Sequence, residues 1–217
     1  MKKNLTELVY ILDKSGSMQG LEKDTIGGYN SMLAQQRKVE GDCVITTVLF
    51  DNNYQLLHDR IDMRAIKPIT EKEYFVGGST ALLDAIGKTI DKIHTAQKNT
   101  AENYRAEKVL FIIITDGAEN ASRMYSTTQV KALIQRQKEQ HGWGFIFLGA
   151  NMDALETVGR FGIDADRAVD YIPDGEGTVL NFRMMSQTVE SFCTCGAIPS
   201  ECLAEMKNDG KKRGGRR

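Results

Sequence analysis

The chain has no apolar run near the ~20 residues a helix needs to cross a bilayer, and its first apolar run is only a strand's length. Its opening, Met1-Lys2-Lys3-Asn4, lacks the apolar stretch and small-residue cleavage site of a secretory signal. These absences set the expectation of a cytoplasmic protein without membrane contact. Histidine and cysteine are sparse. His58, His94 and His141 are far in sequence from the C-terminal cysteines, and Cys43 sits inside an apolar strand pattern as a buried thiol. Cys193, Cys195 and Cys202 follow a C-x-C-x6-C spacing with no fourth ligand in view, which reads as reduced thiols rather than zinc ligands. The net charge is only -1, so the whole molecule has no electrostatic bias toward nucleic acid or membrane. No G-x-G-x-x-G follows the first strand, which argues against a dinucleotide cofactor.

What is present fits an ordinary globular protein: 217 residues, 41% hydrophobic and 26% charged. Charge is uneven at one end. Lys211, Lys212, Arg213, Arg216 and Arg217 lie within the last residues, and without them the body is acidic. The reading is one domain over residues 1–203 and a basic, disordered tail over 204–217. That tail is the one place where nucleic acid could be touched.

Strand and helix patterns alternate. Apolar, β-branched runs predict strands at Leu8–Leu12, Cys43–Phe50, Val109–Thr115, Trp143–Leu148 and Ala168–Tyr171. After the turn signal Asp51-Asn52-Asn53, Tyr54–Leu57 can return as an antiparallel edge strand. Residues 58–78 read as irregular, with a short helix near 71–75. Helical spacing predicts helices over 20–38, 80–98, 127–139, 153–161 and 177–192. Gly27-Gly28 falls inside the first of these and suggests that another backbone packs close there. Strands separated by helices imply right-handed crossovers and a doubly wound α/β sheet with helices on both faces. Ligands of such sheets bind outside the carboxyl ends of the strands.

Three segments place chemistry at those ends. Asp13-Lys14-Ser15-Gly16-Ser17 follows the first strand, Thr115-Asp116-Gly117 ends the strand at 109–115, and Gly77-Gly78-Ser79-Thr80 opens a helix. Asp13, Ser15, Ser17, Thr80 and Asp116 offer two carboxylates and three hydroxyls. An all-oxygen set with few anions suits a hard cation, Mg²⁺ or Mn²⁺, and leaves it electrophilic toward an outside carboxylate. Glu119 reads as a solvated loop carboxylate, and Lys14 and Gln19 as exposed.

This constellation resembles the metal-ion-dependent adhesion site of the von Willebrand factor type A family, with Asp13, Ser15, Ser17, Thr80 and Asp116 at the five matching positions. The flanking strings are similar to intracellular bacterial members more than to integrin domains. The resemblance covers roughly residues 5–193. It implies a Rossmann-like six-stranded sheet of order 3-2-1-4-5-6 with one antiparallel edge strand. It also implies a non-catalytic, divalent-metal-dependent protein–protein interaction module that binds an acidic residue of a partner. The partners of such intracellular members include AAA+ ATPases and stress-response components. Two alternatives stand beside it. One is a scaffold with metal-independent binding. The other is a Mg²⁺-dependent phosphohydrolase of the haloacid dehalogenase type, against which Ser15 stands where the general acid of D-x-D-x-T belongs.

Overall fold

The computed structural model describes residues 1–39, 41–150, 154–171, 175–196, 198, 203–204 and 208. Six strands form one sheet: β1 (Lys2–Asp13), β2 (Asp42–Phe50), β3 (Tyr54–Asp62), β4 (Ala106–Thr115), β5 (Gly144–Ala150) and β6 (Ala168–Tyr171). Among the described residues the helices that connect or flank them are α1 (Glu22–Gln36), α2 (Leu82–Asn99), α3 (Thr127–His141), α4 (Ala154–Phe161) and α5 (Gly175–Cys195). The order is β3-β2-β1-β4-β5-β6, with β2 and β3 antiparallel and every other pair parallel. The expected sheet order is therefore the observed one.

The apolar runs of β1 and β4 are continuous because both faces of these central strands are covered. Successive side chains point to opposite faces. Leu8, Tyr10, Leu12, Leu110, Ile112 and Ile114 share one core with Tyr29 and Met32 of α1 and Phe182 and Met185 of α5. Val9, Ile11, Phe111 and Ile113 share the other with Ile86 and Ile90 of α2 and Val130 and Ile134 of α3. β1 and β4 are paired in parallel, with Leu12 opposite Ile114 at their carboxyl ends. Adjacency brings their carboxyl ends, Asp13 and Thr115-Asp116, to one edge.

Several boundaries differ from the sequence reading. β1 begins at Lys2, because the polar residues ahead of Leu8 are also paired in the sheet. β3 continues through Asp62 instead of ending at Leu57. Its polar half gives no apolar alternation, yet backbone pairing with β2 carries it on through two register shifts, and Arg60 takes a φ of 53°. The helix expected near 71–75 is a single turn closed by the Tyr74 N–H on the Thr70 carbonyl. Trp143 lies just outside β5, with its ring stacked on Phe111. α5 runs to Cys195, so Cys193 and Cys195 are helical. The neighbour of Gly28 is a side chain and not a backbone: the ring of Phe182 lies where a Cβ would stand, whereas Gly27 faces open space. Cys202 and most of the expected tail lie outside the described residues.

Candidate metal centre

The segment leaving β1 is stitched to its neighbours by backbone hydrogen bonds. Lys14 N–H donates to the Phe50 carbonyl, Gly16 N–H to the Gly78 carbonyl, and Gly77 N–H to the Lys14 carbonyl. The Tyr74 hydroxyl donates to the Asp13 carbonyl at 2.6 Å. Gly78 is required here by its backbone angle, and a side chain would also displace Asn52. Its φ is +75°, and a Cβ would stand 2.2 Å from the Asn52 Oδ1. These bonds hold Asp13, Ser15 and Ser17 beside the loop that precedes α2.

Asp13 is fully buried. Its Oδ1 accepts from the Ser15 backbone N–H at 2.7 Å and its Oδ2 from the Thr115 hydroxyl at 2.6 Å. The backbone of Asp116 also hydrogen-bonds this carboxylate. Burial pushes the Asp13 carboxyl above its ordinary range, and the Thr115 and Ser15 hydrogen bonds oppose that rise. Thr80 Oγ1 donates to Ser15 Oγ at 3.0 Å, and Ser15 Oγ lies 3.0 Å from Ser17 Oγ. Asp116 is almost buried at the same edge. Asp13, Ser15, Ser17 and Thr80 are thus joined by hydrogen bonds, and Asp116 follows β4 next to Gly117, which lies against Thr80 and Ser17.

The donor set fits a small hard cation. In an octahedron with metal–oxygen bonds of about 2.1 Å, neighbouring oxygens stand about 3.0 Å apart. The Thr80–Ser15 and Ser15–Ser17 oxygen separations are both 3.0 Å. Gly117 keeps the space open, because a Cβ there would lie 2.5 Å from Thr80 Oγ1 and 2.9 Å from Ser17 Oγ. Among the described residues no group of three or more His, Cys, Asp or Glu side chains is placed to hold a metal ion.

Thr80 is not the N-cap of its helix. Ala81 holds that position without a side-chain cap, which leaves the Thr80 hydroxyl to the site. The first N–H groups of α2 are capped from the β4–α3 loop, Leu83 by Glu119 and Asp84 by the Ser122 hydroxyl at 3.0 Å. Glu119 Oε2 accepts from the Leu83 N–H at 2.8 Å, and its Oε1 accepts from the N–H groups of Ala121 and Ser122. Asp84 in turn accepts from the N–H groups of Arg123, Met124 and Tyr125. Asn120 Oδ1 accepts from the Thr80 N–H. Glu119 is therefore a brace between the β4–α3 loop and the start of α2, and not a solvated carboxylate. A single sequence shows only E-N-A-S, and the bond to Leu83 that defines its role crosses 36 positions. Glu119→Ala is expected to lower unfolding stability by about 2–3 kcal/mol in urea denaturation, because it orphans several partly buried donors. A change within about 0.5 kcal/mol, usual for a surface site, would show that the brace is unimportant.

Lys14 also departs from expectation. It is 5% exposed, lies 3.5 Å from Asp51 Oδ2 and sits 4.3 Å over the Phe75 ring. Its charge is neutralised by Asp51 behind the loop. Gln19 is exposed as expected.

No protein-family model and no curated protein sequence matches the chain. Solved structures do. A von Willebrand factor type A protein from Catenulispora acidiphila aligns with a TM-score of 0.59 at 18% identity, covering 86% of this chain and 42% of that one. VWA2, the ArnB paralogue of Sulfolobus acidocaldarius, aligns at 0.53 and 18% identity, covering 88% and 45%. Proximal thread matrix protein 1 of the mussel byssus, with a zinc-occupied MIDAS motif, aligns at 0.56 and 15% identity, covering 87% and 46%. The chain spans under half the length of each of these structures. Identities this low speak to architecture, and together with the sheet order they show that the chain has the von Willebrand factor type A fold.

Proposed function

We propose that the chain is a non-catalytic interaction module that holds Mg²⁺ or Mn²⁺ at its metal-ion-dependent adhesion site and through it binds an acidic residue of a protein partner. The observation that carries this reading is the row of three hydroxyl oxygens at 3.0 Å spacing beside the buried Asp13 carboxylate. The mussel protein's zinc-occupied motif supports it by analogy of fold. Ser15, Ser17 and Thr80 would hold the cation directly, and Asp13 and Asp116 would hold it directly or through water. A cation with so few anionic ligands supplies Lewis acidity toward a carboxylate from outside the chain. Ser17 is exposed, so the approach is open on that side.

The chain's own residues do not favour hydrolysis. Both oxygens of Asp13 are engaged by Ser15 and Thr115, and Ser15 cannot protonate a leaving group near neutral pH. No helix among the described residues is long and apolar enough to cross a membrane. We place the module in the cytoplasm, beside an AAA+ ATPase or a stress-response component.

Capture from native cell extract tests the proposal. A partner retained in Mg²⁺ and lost both in EDTA and in an Asp116→Ala variant is the expected result. A partner retained in all three conditions would remove the metal bridge from the account.

A further inference from the structure

Cys43 lies near the start of β2, paired in register with Thr6 of β1. Cys193 lies in the last turn of α5. Although far apart in the chain, the two residues pack against the same core and line one small recess together with Thr6 and Gln36. Both are half-buried. Lys108 Nζ donates to the Cys193 carbonyl at 2.6 Å and fixes a positive charge at this helix end. The recess lies at the amino end of β2, and the metal-site loops lie beyond its carboxyl end at Phe50.

We propose that Cys43 and Cys193 form an oxidisable pair, a modification site at which hydrogen peroxide closes a disulfide between β2 and α5. The Cys193 sulfur is the attacking group. The Lys108 ammonium, held on the Cys193 carbonyl, favours a thiolate at Cys193, while burial keeps the Cys43 thiol protonated. The Cys193 thiolate attacks one peroxide oxygen, the O–O bond breaks, and the departing hydroxide takes up a proton to give water and a Cys193 sulfenic acid. The Cys43 sulfur then gives up its proton and attacks the sulfenic sulfur, displacing a second water. Two thiols are oxidised and one peroxide is reduced to two waters. The cross-link ties the end of α5 to the sheet. It rests on a different part of the molecule from the metal site, and neither proposal depends on the other.

The test is peptide mapping of the full chain after exposure to a small excess of hydrogen peroxide, digested without reductant. The expected result is a Cys43–Cys193 linked peptide that dithiothreitol separates. In Cys43→Ser the link is absent and dimedone labels Cys193, because the sulfenic acid has no resolving thiol. Linkage of Cys193 to Cys195, to Cys202 or to a second chain overturns the assignment. So does a wild-type chain in which Cys43 stays reactive to alkylation while Cys193 is over-oxidised, or in which neither thiol reacts.

Discussion

Asp13→Asn is expected to weaken Mg²⁺ binding by about 100-fold or more, read by isothermal titration, while leaving the metal-free fold intact. Removing one of only two carboxylates removes half of the anionic charge offered to the cation, in a site where burial keeps the field strong. The fold survives because an amide can take over the local bonds. Its oxygen accepts from the Ser15 N–H, and its NH₂ donates to the Thr115 oxygen. Thr115 can then turn its own proton to the Gly117 carbonyl, which lies 3.2 Å away. The sign of the stability change follows from burial. The folded-state pKa of Asp13 is raised above its ordinary value of 3.8. The folded chain therefore binds the proton more tightly than the unfolded chain, and stability is lost as pH rises above 3.8 through the folded value. In EDTA at neutral pH the Asn variant should be no less stable than the wild type, and below pH 3.8 the difference should vanish. An Asn variant that binds Mg²⁺ normally would remove Asp13 from the site. One that unfolds without metal would make its role structural.

Gly28→Ala and Gly27→Ala should act in opposite directions. A Cβ on Gly28 would lie 2.0 Å from Phe182 Cδ2 and 2.3 Å from its Cγ. Phe182 is 5% exposed, and its ring near the Cβ–Cγ bond has little room to swing. Either the ring leaves its place or α1 and α5 move apart, at a cost of about 2–3 kcal/mol. Gly27 is exposed with nothing near it, so Ala there gains about 1 kcal/mol from helix propensity. Urea unfolding of the pair separates them. Equal effects at both positions would mean that α5 does not pack on α1 as described.

The arrangement of strands was readable because burial on both faces leaves a continuous apolar signature, as in Val109 to Thr115. The three segments of the candidate site were readable because each sits at a strand or helix end, and a doubly wound sheet gathers the carboxyl ends of its strands on one edge. The polar half of β3 was not readable, because a strand held at the edge by backbone pairing needs no side-chain pattern. The roles of Glu119, Asp84 and Lys14 were hidden for another reason. Each is defined by partners tens of residues away, Leu83 and the Arg123–Tyr125 N–H groups among them, and a single sequence does not encode which distant amide a carboxylate will meet. The Gly28–Phe182 contact is of the same kind. The glycine announced that something approaches, and only the packing of α5 said what.

The most direct test of the metal site is an anomalous difference map from a crystal soaked in MnCl₂. The account predicts one strong peak about 2.2 Å from the Ser15, Ser17 and Thr80 hydroxyls. A map with no peak there, or with a fully occupied peak elsewhere in the chain, would contradict it.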